Sequence, residues 1–282
     1  MLDSEWMRAT LSTRRQQAKD ALDRLGILGV SYAVRQGLRG ARPRVLRGNV
    51  QTRRTSDHGL PVPPLRLIFA VAGHFDRRGF LDTGRDNHGD IVHALRSAGS
   101  DPDTAKLRIL DFGCGCGRVL RYWSSMANVD AHGVDPNPKQ ARWCQENLRF
   151  ATIKQNDARP PLDAADGSFD AIYVISVFTH ITVDAQHQWV AELTRVLTPG
   201  GHLVVTTHGA AALRRLGGPL RANLANDGVV VLHASREGTN LCATYHSEQY
   251  MRSRFAPDLD VVDFVPKGLR WSTQDITIFR KP

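Results

Sequence analysis

Leu107-Arg-Ile-Leu-Asp111-Phe-Gly113-Cys114-Gly115-Cys116-Gly117-Arg118-Val-Leu120 decides how this chain is read. An aliphatic run ends in an aspartate, passes through three alternate glycines and enters an apolar pattern suited to a helix. That is a strand feeding a nucleotide-type turn into a helix N-terminus. Glycines at 113, 115 and 117 permit dihedrals that a β-carbon forbids and let backbone approach a ligand closely. Outward from this turn the chain alternates. Strands are predicted at 107–112, 130–134, 151–155, 169–175 and 202–207, with helices at 117–127, 138–149 and 184–197. Thr198-Pro-Gly-Gly201 supplies the stop after the last helix. Strands separated by helices predict an α/β fold with a doubly wound, mainly parallel sheet. Beyond His208 the pattern changes. A helix at 210–225 precedes a hairpin of 229–232 and 241–245 turning at Glu237-Gly238. A helix at 247–254 and two antiparallel strands at 259–265 and 273–280 close the chain.

Upstream of the turn, 4–25 reads as a helix, 36–64 as an irregular linker ending Pro61-Val-Pro-Pro64, and 88–98 as a helix. This divides the chain into a basic N-terminal helical arm and linker, 1–64, and a main domain, 65–282, with an insertion at about 210–256 covering the pocket. The 282 residues suffice for one large α/β domain with an extension. Hydrophobic content of 41% and charged content of 23% are ordinary for a globular protein. No apolar run approaches a membrane span and no segment reads as a secretory leader, so a cytoplasmic protein is expected. The four cysteines include no Cys-x-x-Cys pair, which speaks for free thiols and against structural zinc. No acidic cluster suits a catalytic divalent metal, so metal independence is expected. Of the net +9, +7 falls in residues 1–60, where twelve arginines and lysines face five acids. Such an arm packs on the domain, meets anionic lipid at a membrane surface, or meets an anionic substrate. Nucleic acid is disfavoured, because no aromatics alternate with the basic residues.

The glycine turn departs from the dinucleotide pattern Gly-x-Gly-x-x-Gly, because Arg118 stands where its third glycine belongs. Asp111 would also repel a pyrophosphate and favour a cationic or amino-bearing ligand. The stretch instead resembles the first motif of the class I S-adenosylmethionine-dependent methyltransferases. Three further matches follow in order: Asp135, 22 residues after Gly113; Asn156-Asp157-Ala158; and Leu197-Thr-Pro-Gly-Gly201 before the fifth strand. The closing hairpin also matches, and the resemblance covers roughly 65–282. It implies a Rossmann-like seven-stranded sheet with an antiparallel last strand and S-adenosyl-L-methionine as cofactor. The cofactor would meet Asp111, Gly113, Cys114, Gly115, Gly117, Asp135, Pro136, Asp157, Ala158, Ser176 and Phe178. In this reading Asp135 takes the ribose hydroxyls and Asp157 the adenine amine.

Base-amine methylases often place Asn or Asp, Pro-Pro and an aromatic after the fourth strand. Here the sequence is Ile175-Ser-Val-Phe-Thr-His180. A hydroxyl acceptor needs a base, and His180, at the carboxyl end of the sheet, is the first candidate. His208 is the second, and Tyr245-His246 would contact substrate. These stretches look like a bacterial subgroup acting on small molecules or sugars. The expected reaction is O-methylation of a small molecule, sugar or glycolipid. The alternatives are an RNA-directed methylase using the arm, and a non-catalytic cofactor-binding protein.

Overall fold

The computed structural model describes residues 34, 37–54, 58–213 and 218–282. The helix expected at 4–25 lies outside them. The stretch 36–64 is not irregular throughout: Pro43–Arg54 forms α1. Pro43 at the first helical position suits a helix start. The helix is fastened by Asn49, whose Nδ2 donates to Phe75 O at 2.7 Å while Oδ1 accepts from Arg77 N at 2.8 Å. Leu65–Ala72 forms α2 and Arg77–Ser97 forms α3. Helix α3 starts well before the expected residue 88. Asp76 caps it, accepting from Gly79 N at 3.1 Å. Its glycines look like breakers, but Gly84 is a contact: a β-carbon there would lie 2.2 Å from Arg118 O. The helix can lie against the glycine turn only because that position is bare.

Strands β1 (Leu107–Phe112), β2 (Val129–Asp135), β3 (Thr152–Gln155), β4 (Phe169–Val174) and β5 (Leu197–His208) are mutually parallel. Helix α4 (Pro138–Asn147) follows β2 and α5 (Val183–Val196) precedes β5. The Pro-Gly-Gly turn is absorbed into the start of β5, where Leu197 pairs with Phe169. The strands β8 (Asp260–Val265) and β9 (Gln274–Arg280) finish the sheet, with β9 antiparallel to β5 and to β8. The path β3-β2-β1-β4-β5-β9-β8 is the seven-stranded doubly wound sheet that was expected. Short helices α6 (Ala210–Leu213) and α7 (Gly218–Asp227) stand where one helix was expected. The hairpin β6 (Val229–Leu232) with β7 (Ala243–His246) then joins the end of β5 through His208 and Tyr245, bringing the sheet to nine strands. Helix α8 is Glu248–Ser253.

Alternation along the strands builds two cores. Leu110, Phe112, Ile172 and Val174 face α5 and the closing segment, while Leu107, Ile109, Ala171 and Tyr173 face α3 and α4. A regular helix was expected after the glycine turn, but a 3-10 helix forms over Leu120–Ser125. Leu120, Arg121, Tyr122 and Trp123 are consecutive and all buried. Their polar atoms reach different walls. Arg121 Nη2 donates to Pro61 O at 2.6 Å, Tyr122 to Leu81 O at 2.7 Å and Trp123 Nε1 to Tyr173 Oη at 3.0 Å. A segment buried on every side has no solvent face, so an amphipathic helix does not develop. Among the described residues no helix is long and apolar enough to cross a membrane.

Candidate active site

The parallel strands end on one side, and a cavity of about 900 Å³ opens over their carboxyl ends. Loops at strand ends are where an open α/β sheet gathers ligands. The floor is the glycine turn, then 135–137 after β2, 156–159 after β3 and 175–177 after β4. Ala70 and Val71 of α2 close one side, and 237–240 between β6 and β7 closes another.

Gly113 N and Cys114 N both donate to Val134 O, at 2.9 and 3.0 Å, tying the turn to β2. Gly113 and Gly115 adopt φ of 80° and 56°. A β-carbon at Gly113 would lie 2.3 Å from Val177 Cγ2, and one at Gly115 would lie 2.6 Å from Val71 Cγ2. Both valines line the cavity, so the two glycines let its walls close on the turn. Gly117 does a different job: its added β-carbon would meet Leu148 Cδ1 at 2.3 Å, under the end of α4 and away from the cavity.

Asp135 is 8% exposed and presents its carboxylate to the cavity. Its Oδ2 accepts from Gly115 N and its Oδ1 from Asn137 N, both at 2.8 Å. Burial raises its pKa and the two amides pull it down. Each oxygen keeps acceptor capacity. The neighbouring Gln140 Oε1 is buried, lines the same wall and has no partner. The Asp135 carboxylate, fixed by two amides, and the unpaired Gln140 Oε1 beside it are acceptors that fit the paired hydroxyls of a ribose. Asp157 and Ala158 are exposed at the rim, beside Trp189, whose Nε1 donates to Ala158 O at 3.3 Å. They can meet a purine edge without being buried first.

Asp111 is 4% exposed and its pKa is raised to about 7. Burial is the main cause; a hydrogen bond from Tyr173 and the Arg118 charge oppose it, and Asp135 adds to it. A cationic ligand in this cavity would favour its ionised form.

Ser176 lines the cavity with φ of 62°, a left-handed conformation unusual for a residue with a β-carbon. Its N donates to Thr206 Oγ at 2.9 Å, and its hydroxyl shares a network with Gln274 on β9 at 2.6 to 2.9 Å. The neighbouring strands hold this bend, which sends the chain across the cavity to His180. There Nδ1 lies 2.7 Å from Cys242 O. A carbonyl only accepts, so Nδ1 carries the proton and Nε2 is the basic nitrogen. Burial holds the His180 pKa below the ordinary value, and the Cys242 contact partly offsets it.

His180 O accepts from Gly238 N at 2.8 Å. Glu237 accepts from Arg159 Nη1 at 2.7 Å and from Thr182 Oγ at 2.8 Å. The hairpin connection is thus a strap pinned to both rims.

Among the residues singled out from sequence, Asp111, Gly113, Cys114, Gly115, Asp135, Pro136, Asp157, Ala158, Ser176 and His180 surround this cavity. Gly117, Phe178, His208, Tyr245 and His246 are not on it. Phe178 is fully buried, edge-on to Phe255. His208 and Tyr245 face each other, ring centroids 5.3 Å apart, at the junction of β5 and β7. His246 is 1% exposed, with Nε2 2.9 Å from Gln186 Oε1, and burial first of all lowers its pKa to about 3. Sequence reasoning did not name Val71, Arg118, Gln140 or Arg159 as site residues, nor which residues of the covering insertion line the cavity. Gln140 had a signal, its place in the first turn of the helix after Asp135. Val71 had none, because its contact with Gly115 is distant in sequence. Among the described residues no group of three His, Cys, Asp or Glu side chains could hold a metal ion.

Residues 110–205 match the family model described as a methyltransferase domain. The chain is 29% identical over 125 residues to tocopherol O-methyltransferase of Arabidopsis thaliana, covering 42% of this chain and 35% of that protein. It is 30% identical over 106 residues to cyclopropane-fatty-acyl-phospholipid synthase of Escherichia coli, covering 37% and 27%. The chain thus spans about a third of the length of such relatives. Among solved structures, the CcbJ methyltransferase of Streptomyces caelestis superposes with a TM-score of 0.52 at 17% identity, covering 71% of this chain and 95% of that one. At that identity the likeness concerns the fold.

Proposed function

We propose that this chain, whose residues 110–205 form a methyltransferase domain of the S-adenosylmethionine-dependent type, methylates a hydroxyl of a small molecule, sugar or glycolipid with His180 as general base. The observation that carries the reading is the tautomer of His180. Its Nδ1 proton is committed to Cys242 O, which leaves Nε2 as the basic nitrogen of a residue that lines the cavity.

S-adenosylmethionine, when bound, supplies an electrophilic methyl group on a positively charged sulfur. Asp135 and Gln140 fit the ribose hydroxyls, Asp157 the adenine amine, and Asp111 the cationic end. The cavity of about 900 Å³ over the glycine turn leaves room for all three. What remains for the protein is alignment and proton removal. A depressed His180 pKa keeps the ring neutral at neutral pH, ready to take a hydroxyl proton on Nε2. The strap narrows the mouth and excludes water from that step. At about 900 Å³ the cavity is at the upper end of the roughly 300–1,000 Å³ range of small-ligand pockets, which suits a cofactor together with a small acceptor. The Arabidopsis relative is named for O-methylation, in keeping with a hydroxyl acceptor.

The test is His180→Ala, assayed on an acceptor panel that includes sugars, phenols and glycolipids. Turnover should fall about 10²–10⁴-fold while cofactor affinity stays within about twofold. The wild-type rate should fall on the acid side as Nε2 becomes protonated, and the variant should lose that limb. Unchanged turnover removes His180 from the base role. Cofactor binding with no turnover on any acceptor would support a non-catalytic protein instead.

A further inference from the structure

We infer that the outer face of α1, with residues 37–42 just before it, is a docking surface for an anionic lipid bilayer. Eight large hydrophobic side chains are exposed among the described residues, and four of them fall within 34–54: Val34 at 58%, Leu38 at 71%, Leu46 at 52% and Val50 at 58%. Leu46 and Val50 lie four residues apart in α1, the spacing that puts both on one helical face. The stretch 34–54 holds seven arginines, at 35, 39, 42, 44, 47, 53 and 54, and no acidic residue. Exposed aliphatics interleaved with arginines, with no acid in the same stretch, match a membrane interface, where the apolar side chains enter the acyl boundary and the cations meet headgroups.

The surface is mounted rigidly. Asn49 on the inner face of α1 holds Phe75 O and Arg77 N, and Arg77 Nη1 returns to Asn49 O at 3.0 Å. Gly40 lies against Phe75, where an added β-carbon would come within 3.0 Å of Phe75 Cβ. Phe75 stacks on Phe69 of α2, ring centroids 4.5 Å apart and planes 7° apart. Helix α2 contributes Ala70 and Val71 to the cavity wall. One aromatic stack therefore connects the docking face to the cavity, and an acceptor held in the bilayer would approach from that side. RNA is the weaker occupant. Residues 34–54 contain no aromatic side chain on which a base could stack, and the exposed aliphatics gain nothing from a phosphate backbone.

The test is cosedimentation of the full chain with vesicles of phosphatidylcholine alone or with about 30 mol% phosphatidylglycerol. The expected result is partition onto the anionic vesicles only, weakening as salt rises. The double variant Arg44→Gln/Arg47→Gln should lower partition by more than about tenfold, since each arginine at such a surface accounts for roughly a fivefold change. Leu46→Ser/Val50→Ser should lower it severalfold even at low salt. Cofactor affinity, read by calorimetry, should be unchanged in both variants and reports that they fold. Equal partition onto neutral and anionic vesicles overturns the proposal. So does binding to a structured RNA that the arginine variant weakens and the aliphatic variant leaves intact.

Discussion

Replacing Asp111 by Asn should change the pH dependence of stability in a way that no surface aspartate would. Asp111 is 4% exposed, and its pKa stands at about 7 against an ordinary 3.8. The folded protein therefore holds this proton more tightly than the unfolded chain does. The linkage sign follows: between about pH 4 and 7 the native state binds more protons, so stability falls as pH rises through that window. A shift of about three units corresponds to about 4 kcal/mol across the whole window. Asparagine has the same shape and does not titrate. The stability of Asp111→Asn relative to wild type should therefore climb with pH, by about 4 kcal/mol from acid to neutral, and level off above about pH 7. The absolute difference also contains the loss of the Arg118 partner, so the slope is the diagnostic quantity. Titrating histidines elsewhere cancel in the comparison, because both proteins carry them. The assay is urea unfolding of both proteins without cofactor at pH 4.5 to 8.5. Saturating cofactor should flatten the slope, because a cationic ligand favours the ionised carboxylate. A difference that does not vary with pH would refute the reasoning.

Asp135→Ala should weaken cofactor binding by about 2–3 kcal/mol, roughly 30- to 150-fold in Kd by calorimetry; undiminished binding would overturn the placement of the ribose. Gly113→Ala should lose at least about 2 kcal/mol of stability, since it combines a left-handed residue with a contact on Val177. Adding Val177→Ala should recover the steric part only, and full recovery in a double-mutant cycle would show that the backbone conformation costs nothing. Glu237→Ala should release the strap, seen as faster amide exchange at Gly238 and a raised acceptor KM; unchanged exchange would mean that Arg159 and Thr182 do not hold it.

The alternation of strands and helices, the parallel order with an antiparallel last strand, and the cavity floor were legible in the sequence. Those features are local. A run of β-branched and aliphatic residues, a positive-φ glycine and an acid at a strand end are each decided within a few residues. Parallel strands then bring their carboxyl ends to one side without further instruction. For that reason Asp111, Gly113, Gly115, Asp135, Asp157 and His180 could be gathered before any contact was known. Gly117, Phe178, His208, Tyr245 and His246 look equally chemical in the sequence, but direction and burial turn them away from the cavity. A strand reverses its side chains every residue, so proximity in sequence to the site does not give access to it. Neither the 3-10 helix at Leu120 nor the early start of α3 was expected. The first is set by a distant neighbour, the Pro61 carbonyl under Arg121; α3 begins at the Asp76 cap, and the distant part is why its interior glycine at 84 belongs in a helix, packed bare against the Arg118 backbone. The tautomer of His180 is the clearest case of what tertiary structure alone decided. A histidine at position 180 can be read from the sequence. Which of its nitrogens is basic depends on the Cys242 carbonyl, which the hairpin brings from 62 residues away.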